Sequence, residues 1–299
     1  MSEANPLRMS GFSRRSLLLA AANAAWLRAQ DFSDIHIEQV AKNFTFTEGP
    51  AWSKDGYLIF SDTPTDRLLK WIPGQPAAVY RADAHGPSGN AFDSEGRLYT
   101  CETRTRRVTR TDKNSKIEVL AEQWEGKRLN APNDIVVGHN GHAWFTDPAF
   151  GSQQDHRELD FYGVYQIPSK GPMKLAAKLA TRPNGIALSP NGRVLYVADS
   201  DRRAVLAYDL DHAGEAANER VLVSGVSGVP GGIRVDEKGN LYVAAKGVAI
   251  YSSEGRPIHT VEMHERVSNL AFGDADLKTL YVTGGAGLYR LRLDAKGAG

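Results

Sequence analysis

Residues 183–199 read PNGIALSPNGRVLYVAD. A short apolar run, a Ser-Pro-Asn-Gly turn and a second run rich in branched and aromatic residues together predict a β-hairpin. The same plan occurs six times along the chain. Its second strand opens at Leu58, Leu98, Ala143, Leu195, Leu241 and Leu280, and the turns before it include SKDG, DSEG, GHNG and DEKG. Ten to twelve residues upstream of these openings lie Glu48, Ser88, Asn133, Asn184, Gly231 and Ser268. The openings are spaced by 40, 45, 52, 46 and 39 residues. That period suits a four-stranded propeller blade and is too long for leucine-rich or hexapeptide coils.

The remaining strands complete an all-β, six-bladed β-propeller. Third strands read RLLKW, RRVTR, GVYQI, AVLAY, GVAIY and GLYRLRL; fourth strands read AAVYR, IEVLAE, MKLAAKLA, RVLVSG and IHTVEM. The sixth unit lacks a fourth strand of its own. Residues 35–41, IHIEQVA, have the character of one, and the sequence predicts that they pair beside GLYRLRL and close the ring. Closure of this kind removes the open strand edges a propeller would otherwise expose.

At 299 residues, 41% hydrophobic and with a formal charge of +1, the chain has ample apolar material for one large domain and no bias toward nucleic acid or anionic membranes. The basic cluster RTRR at 104–107 lies within a strand pattern and reads as a solvated face. A single cysteine, Cys101, excludes an intramolecular disulfide, and its place inside LYTCE predicts a buried thiol. Residues 12–30, FSRRSLLLAAANAAWLRAQ, place Arg14 and Arg15 ahead of a short Ala-rich stretch, as a twin-arginine export signal does. The expected division is a leader over 1–29, with cleavage after Ala24 or Ala29, and a propeller over 30–299 in the periplasm or outside the cell. A cytoplasmic amphipathic leader is the alternative. The apolar stretch is too short to predict a membrane span, and the mature protein is expected to be a monomer or a dimer.

Residues at the start of the innermost strands converge on the propeller axis. Glu48 supplies a carboxylate there, Asn133 and Asn184 amide oxygens, and Ser88 and Ser268 hydroxyls, with Asp134 following Asn133. Hard oxygen donors of this kind suit Ca²⁺, with Mg²⁺ or Mn²⁺ as alternatives, and no His/Cys set converges for zinc. A second register, four residues after each second-strand opening, carries Asp62, Glu102, Asp147 and Asp199, then Ala245 and Gly284. These acids either line the same mouth or cap its loops.

FTEGPAW, PSGNAFDSEGRLYTCE, RLNAPNDIVV, WFTDPAFG, RPNGIALSPNGRVLYVADS and LYVTGG together resemble the senescence marker protein, gluconolactonase and luciferin-regenerating-enzyme family over residues 44–293. The resemblance implies a propeller with one divalent metal, usually Ca²⁺ or Zn²⁺, that hydrolyses aldonolactones. It puts the metal glutamate at Glu48 and the metal asparagine at Asn184. The substrate-side pair becomes Asn133 and Asp134, and the substrate arginine Arg128. The chain departs from the family in one place, because the metal aspartate, also the proposed base, corresponds to Gly231 of VPGG. Two consequences are then open. Either Glu48, Asn133, Asn184 and water hold the metal, with Asp134 or Asp199 as substitute base, or the propeller binds a sugar acid or a partner protein without catalysis. Ser88, Arg128, Asn130 and Asn133 are the expected contacts for a polyhydroxylated lactone, because such groups offer several directional bonds.

Overall fold

The turn in the 183–199 unit shows how each hairpin is set. Gly192 takes a positive φ of 66° and donates to the Ser189 carbonyl, while Ser189 Oγ accepts from the backbone N–H of Val194 at 2.9 Å. Side-chain oxygens that bind local backbone N–H groups favour such turns over continued strand. Asp93 and Asp236 perform the same task in DSEG and DEKG, each accepting two backbone N–H bonds. On either side of the 189–193 turn run the strands Pro183–Leu188 and Val194–Asp199, followed by Ala204–Leu210 and Ala216–Val223. Together these four make one antiparallel sheet in chain order.

The computed structural model describes residues 35–298 together with Met1 and Phe32, so the expected leader and its cleavage points lie outside the described residues. Among the described residues are six such four-stranded sheets, the blades of a β-propeller. In five of them the strands follow chain order from axis to rim. Blade six is composite: its outermost strand is Ile37–Ala41, which pairs antiparallel with Gly287–Arg292 through Ile37↔Leu291 and Gln39↔Tyr289. The closing strand thus lies where the sequence predicts it, two residues shorter at its start. Arg290 donates to Glu38 across this seam at 2.7 Å.

Between blades the sheet faces bury the alternating apolar residues. Trp144, Val164, Ile186, Leu195 and Leu206 form one inter-blade cluster, and Leu58, Phe60, Trp71 and Tyr281 form another. Trp52 stacks on Tyr281 at 5.3 Å between ring centroids, joining blade one to blade six. Each such side chain contributes about 1.5–3 kcal/mol by leaving water, so the inter-blade faces carry most of the stabilisation. Cys101 is buried in this core, and burial holds its thiol well above the usual range. Two additions depart from the regular plan. A two-residue hairpin, Gln123–Trp124 with Lys127–Arg128, stands between blades two and three, and blade three carries a 3₁₀ turn, Gly151–His156, between its second and third strands. The second insertion accounts for the long 52-residue spacing between Ala143 and Leu195.

Candidate functional site

At the axial end of the inner strands the ladder is repeatedly broken. Register shifts lie at Glu48/Ala51, Pro87/Asn90, Pro183/Ile186 and Val267/Asn269. A bulge bends its strand and re-aims side chains, and in these four blades it turns the residue after the ring position toward the neighbouring blade. Backbone bonds then link blades directly: Gly89 N to Asn133 O at 2.7 Å, Gly185 N to Gly231 O at 3.1 Å and Gly232 N to Ser268 O at 2.9 Å. Hydroxyls complete the circuit, with Ser61 Oγ donating to Ser88 O, Thr146 Oγ1 to Asn184 O and Ser268 Oγ to Thr47 O.

This close approach explains the residues one place after the ring, which are Gly49, Gly89, Asp134, Gly185, Gly232 and Asn269. A Cβ on Gly89 would lie 2.4 Å from Asp134 Oδ1, and one on Gly232 would lie 1.9 Å from Asn269 Oδ1. Glycine in four blades makes room for two polar side chains from the others. Glu48 joins them: Asn269 Nδ2 donates to Glu48 Oε2 at 3.1 Å, and Gly49 N donates to the same oxygen at 2.6 Å.

The electrostatics of this cluster are dominated by burial. Desolvation, and then the neighbouring Asp134 charge, push Glu48 up to about 7 against the weaker opposing pull of Asn269, Gly49 and Arg234. Burial likewise raises Asp134, opposed chiefly by Arg234, whose Nη1 lies 3.7 Å from Asp134 Oδ2. That oxygen also accepts from Ile186 N at 3.3 Å, whereas the buried Oδ1 receives no donor in good hydrogen-bond geometry, and the Asn269 amide and Ile135 N–H lower Asp134 only weakly. Two neighbouring carboxylates, one fully buried and one half-buried, face the Arg234 guanidinium.

The other expected site residues divide into two groups. Asn133 Nδ2 donates to Ser88 Oγ at 3.3 Å and Asn184 Nδ2 to Ser200 Oγ at 3.2 Å, which leaves each amide Oδ1 available to a ligand. These join Glu48 and Asp134 around the axis. Asp199 does not share their environment: it accepts from Thr181 Oγ1 at 2.6 Å and Arg202 N at 2.9 Å, a capping role at the end of its strand. Asp62 and Asp147 of the same register act alike, Asp147 by accepting from Asn130 N and Ala131 N at 2.8 Å, whereas Glu102 accepts from the Arg81, Arg107, Thr105 and Thr109 side chains. Asn130 is buried, with its amide donating to the Asp147 and Phe161 carbonyls, so its N–H groups fix a loop. Arg128 is exposed and donates to Thr105 O at 3.0 Å. Ser268 is buried and its hydroxyl ties blade six to blade one. Sequence reasoning missed Asn269 and Arg234. The pattern Gly, Gly, Asp, Gly, Gly, Asn one place after the ring was the available signal for Asn269.

The family model described as the SMP-30/gluconolactonase/LRE-like region matches residues 46–286. The chain belongs to this family. A gluconolactonase from Zymomonas mobilis is 29% identical over 288 residues, spanning 86% of this chain and 81% of its own. A solved gluconolactonase from Xanthomonas campestris is 32% identical with a TM-score of 0.82, the match covering 87% of this chain and 90% of that one. A luciferin-regenerating enzyme shares the fold at a TM-score of 0.77 and 23% identity, over 88% of this chain and 97% of that one. For a member of this family, the donor set around Glu48 fits a hard divalent cation: a half-buried carboxylate, two available amide oxygens and the Ser88 hydroxyl, with the Asp134 carboxylate beside them. Among the described residues no group of three or more His, Cys, Asp or Glu side chains gathers, so amide oxygens are needed to complete any such set.

Proposed function

We propose that this protein is a hydrolase that opens a sugar-derived lactone to the aldonic acid with the help of one divalent cation, Ca²⁺ before Mg²⁺, Mn²⁺ or Zn²⁺. The observation that carries the reading is the pair of neighbouring carboxylates, fully buried Asp134 and half-buried Glu48, at the axis of a chain 32% identical to a gluconolactonase. Buried like charges need a cation or a proton to coexist. Glu48 and the Oδ1 atoms of Asn133 and Asn184 would hold the ion. When bound, it supplies Lewis acidity toward the lactone carbonyl. Asp134 Oδ1, which receives no hydrogen bond, is the acceptor for the proton of the attacking water and returns that proton to the ring oxygen as the C–O bond breaks. Such general-base help is worth about 10²–10⁴-fold. Ser88, Asn133 and Arg128 orient the sugar hydroxyls.

The reading is tested by following D-glucono-1,5-lactone hydrolysis by pH-stat, with and without chelator. Chelation and Glu48→Gln are each expected to abolish the catalysed rate. A cation-replete protein inactive on a panel of aldonolactones overturns it. The second reading, a propeller that binds a sugar acid or a partner protein without turnover, is favoured by Gly231, where a Cβ would lie 2.2 Å from Ser268 O and no carboxylate fits. Binding of gluconate with no turnover of any lactone would decide for it. Export to the periplasm follows from Arg14 and Arg15 and is tested by fractionating cells that express the Arg14→Lys/Arg15→Lys variant.

A further inference from the structure

Three residues after each ring position the inner strands carry Ala51, Ala91, Val136, Ala187, Arg234 and Ala271. Five are small and apolar, and four of these pack in or against the inter-blade clusters. The sixth is an arginine. Its side chain is 19% exposed and Asp134's is fully buried, yet the two approach to 3.7 Å although they belong to blades five and three. The arm is anchored on its own strand, where Nη1 donates to Ile233 O at 2.6 Å. At 3.7 Å the contact with Asp134 is Coulombic and lacks the forked hydrogen bonds of a saturated arginine–carboxylate pair. Asp134 Oδ1 accordingly remains without a donor although completely buried. The guanidinium therefore compensates the carboxylates without satisfying them.

We propose that Arg234 is a tethered counter-cation of the axial site, whose guanidinium competes with the divalent ion for the Glu48–Asp134 pair and sets how tightly that ion is held. The inference rests on the cation-assisted reading above. Glu48 and Asp134 bring two negative charges and Arg234 returns one positive charge. A small ion of higher charge density, held by Glu48 and the two amide oxygens beside Asp134, is bound only against that fixed charge. A free Arg234-less axis would attract the ion more strongly and would be harder to keep folded without it.

The experiment is calorimetric titration of Ca²⁺ into chelator-treated, dialysed protein, paired with melting temperatures at zero and saturating Ca²⁺. Arg234→Gln is expected to tighten Ca²⁺ binding at least ~tenfold, which is about 1.4 kcal/mol. It is also expected to lower the Ca²⁺-free melting temperature and enlarge the rise on adding Ca²⁺. Arg234→Lys keeps the charge and is expected to stay within about threefold of the parent. Equal or weaker binding by Arg234→Gln overturns the inference and leaves the hydrolase reading intact, as does equal tightening by Arg234→Lys. If Arg234→Gln does not fold, Asp134→Asn/Arg234→Gln removes one charge of each sign and is expected to bind within about threefold of the parent. Binding by this double variant ~tenfold or more weaker overturns the inference. Failure of the parent and every variant to bind Ca²⁺ or Mn²⁺ at millimolar concentration overturns both the inference and the cation-assisted reading.

Discussion

Restoring a side chain at Gly231 is expected to damage the axis before it alters chemistry. A Cβ built there lies 2.2 Å from the Ser268 carbonyl oxygen and 3.2 Å from its carbon, and both neighbours are backbone. Relief requires a shift of about 1 Å between blades five and six, because carbon and oxygen rarely approach closer than about 3.2 Å. The same stretch is fixed by Gly231 N to Ala244 O at 2.7 Å, Gly232 N to Ser268 O at 2.9 Å and Gly185 N to Gly231 O at 3.1 Å. Overpacking costs about 1–3 kcal/mol and one weakened buried hydrogen bond about 1, so Gly231→Ala should lose about 2–4 kcal/mol. For a domain of this size that corresponds to a fall in Tm of about 4–7 °C. Urea unfolding should show a lower midpoint at an unchanged slope. Gly231→Asp should lose more, since it adds a carboxylate to a region already crowded with two. A Gly231→Ala protein within about 0.5 kcal/mol of the parent would refute the reasoning and show that the seam yields freely.

Asp199→Asn should destabilise the protein by about 1–3 kcal/mol through its lost capping bonds and leave kcat/KM within about threefold. A loss of about 10²-fold in kcat by a folded variant would make Asp199 the base. Stability without divalent ions should fall as pH rises from about 4 to 7, since burial lifts Asp147 from 3.8 to about 7 and the folded state keeps a proton that the unfolded chain releases. Glu48 acts in the same direction, and Asp147→Asn should flatten part of the slope of Tm against pH; an unchanged slope would remove Asp147 from that account. Deleting residues 35–41 opens the edge of Gly287–Arg292 and should lower the melting temperature sharply or make the protein aggregate. An unchanged melting curve would mean that the closing strand is dispensable.

The blades were legible because the hairpin pattern repeats with one period, and even the composite sixth blade follows from counting strands. The acids were harder to separate. Asp134 and Asp199 both stand in regular registers and look alike as residues, and only their hydrogen bonds differ: one has an orphaned buried oxygen, while the other binds a threonine hydroxyl and a loop N–H. Asn130 is ambiguous for the same reason: its amide N–H groups hold a loop, while its buried Oδ1 receives no hydrogen bond. Asn269 was missed because a bulge displaces the register of its blade at the axis, and Arg234, in a regular register, because an arginine on a strand reads as a solvated residue. Glu48 stands at the ring position and meets Asn269 of blade six. In blades three and six the residue after it, Asp134 or Asn269, also reaches the axis.

The strand that shuts the ring also dictates when the ring can be shut. Ile37 leaves the ribosome long before its partner Leu291, the other five blades and most of the sixth lying between them in sequence. Until then every completed blade adds a face with no neighbour, and both terminal edges wait unpaired. Non-local pairing of this span slows folding and lengthens exposure to aggregation. A stalled or truncated chain would therefore behave as an open ribbon with adhesive ends, and quality control in the cell has a single late event, the docking of Ile37–Ala41, by which to tell finished molecules from unfinished ones.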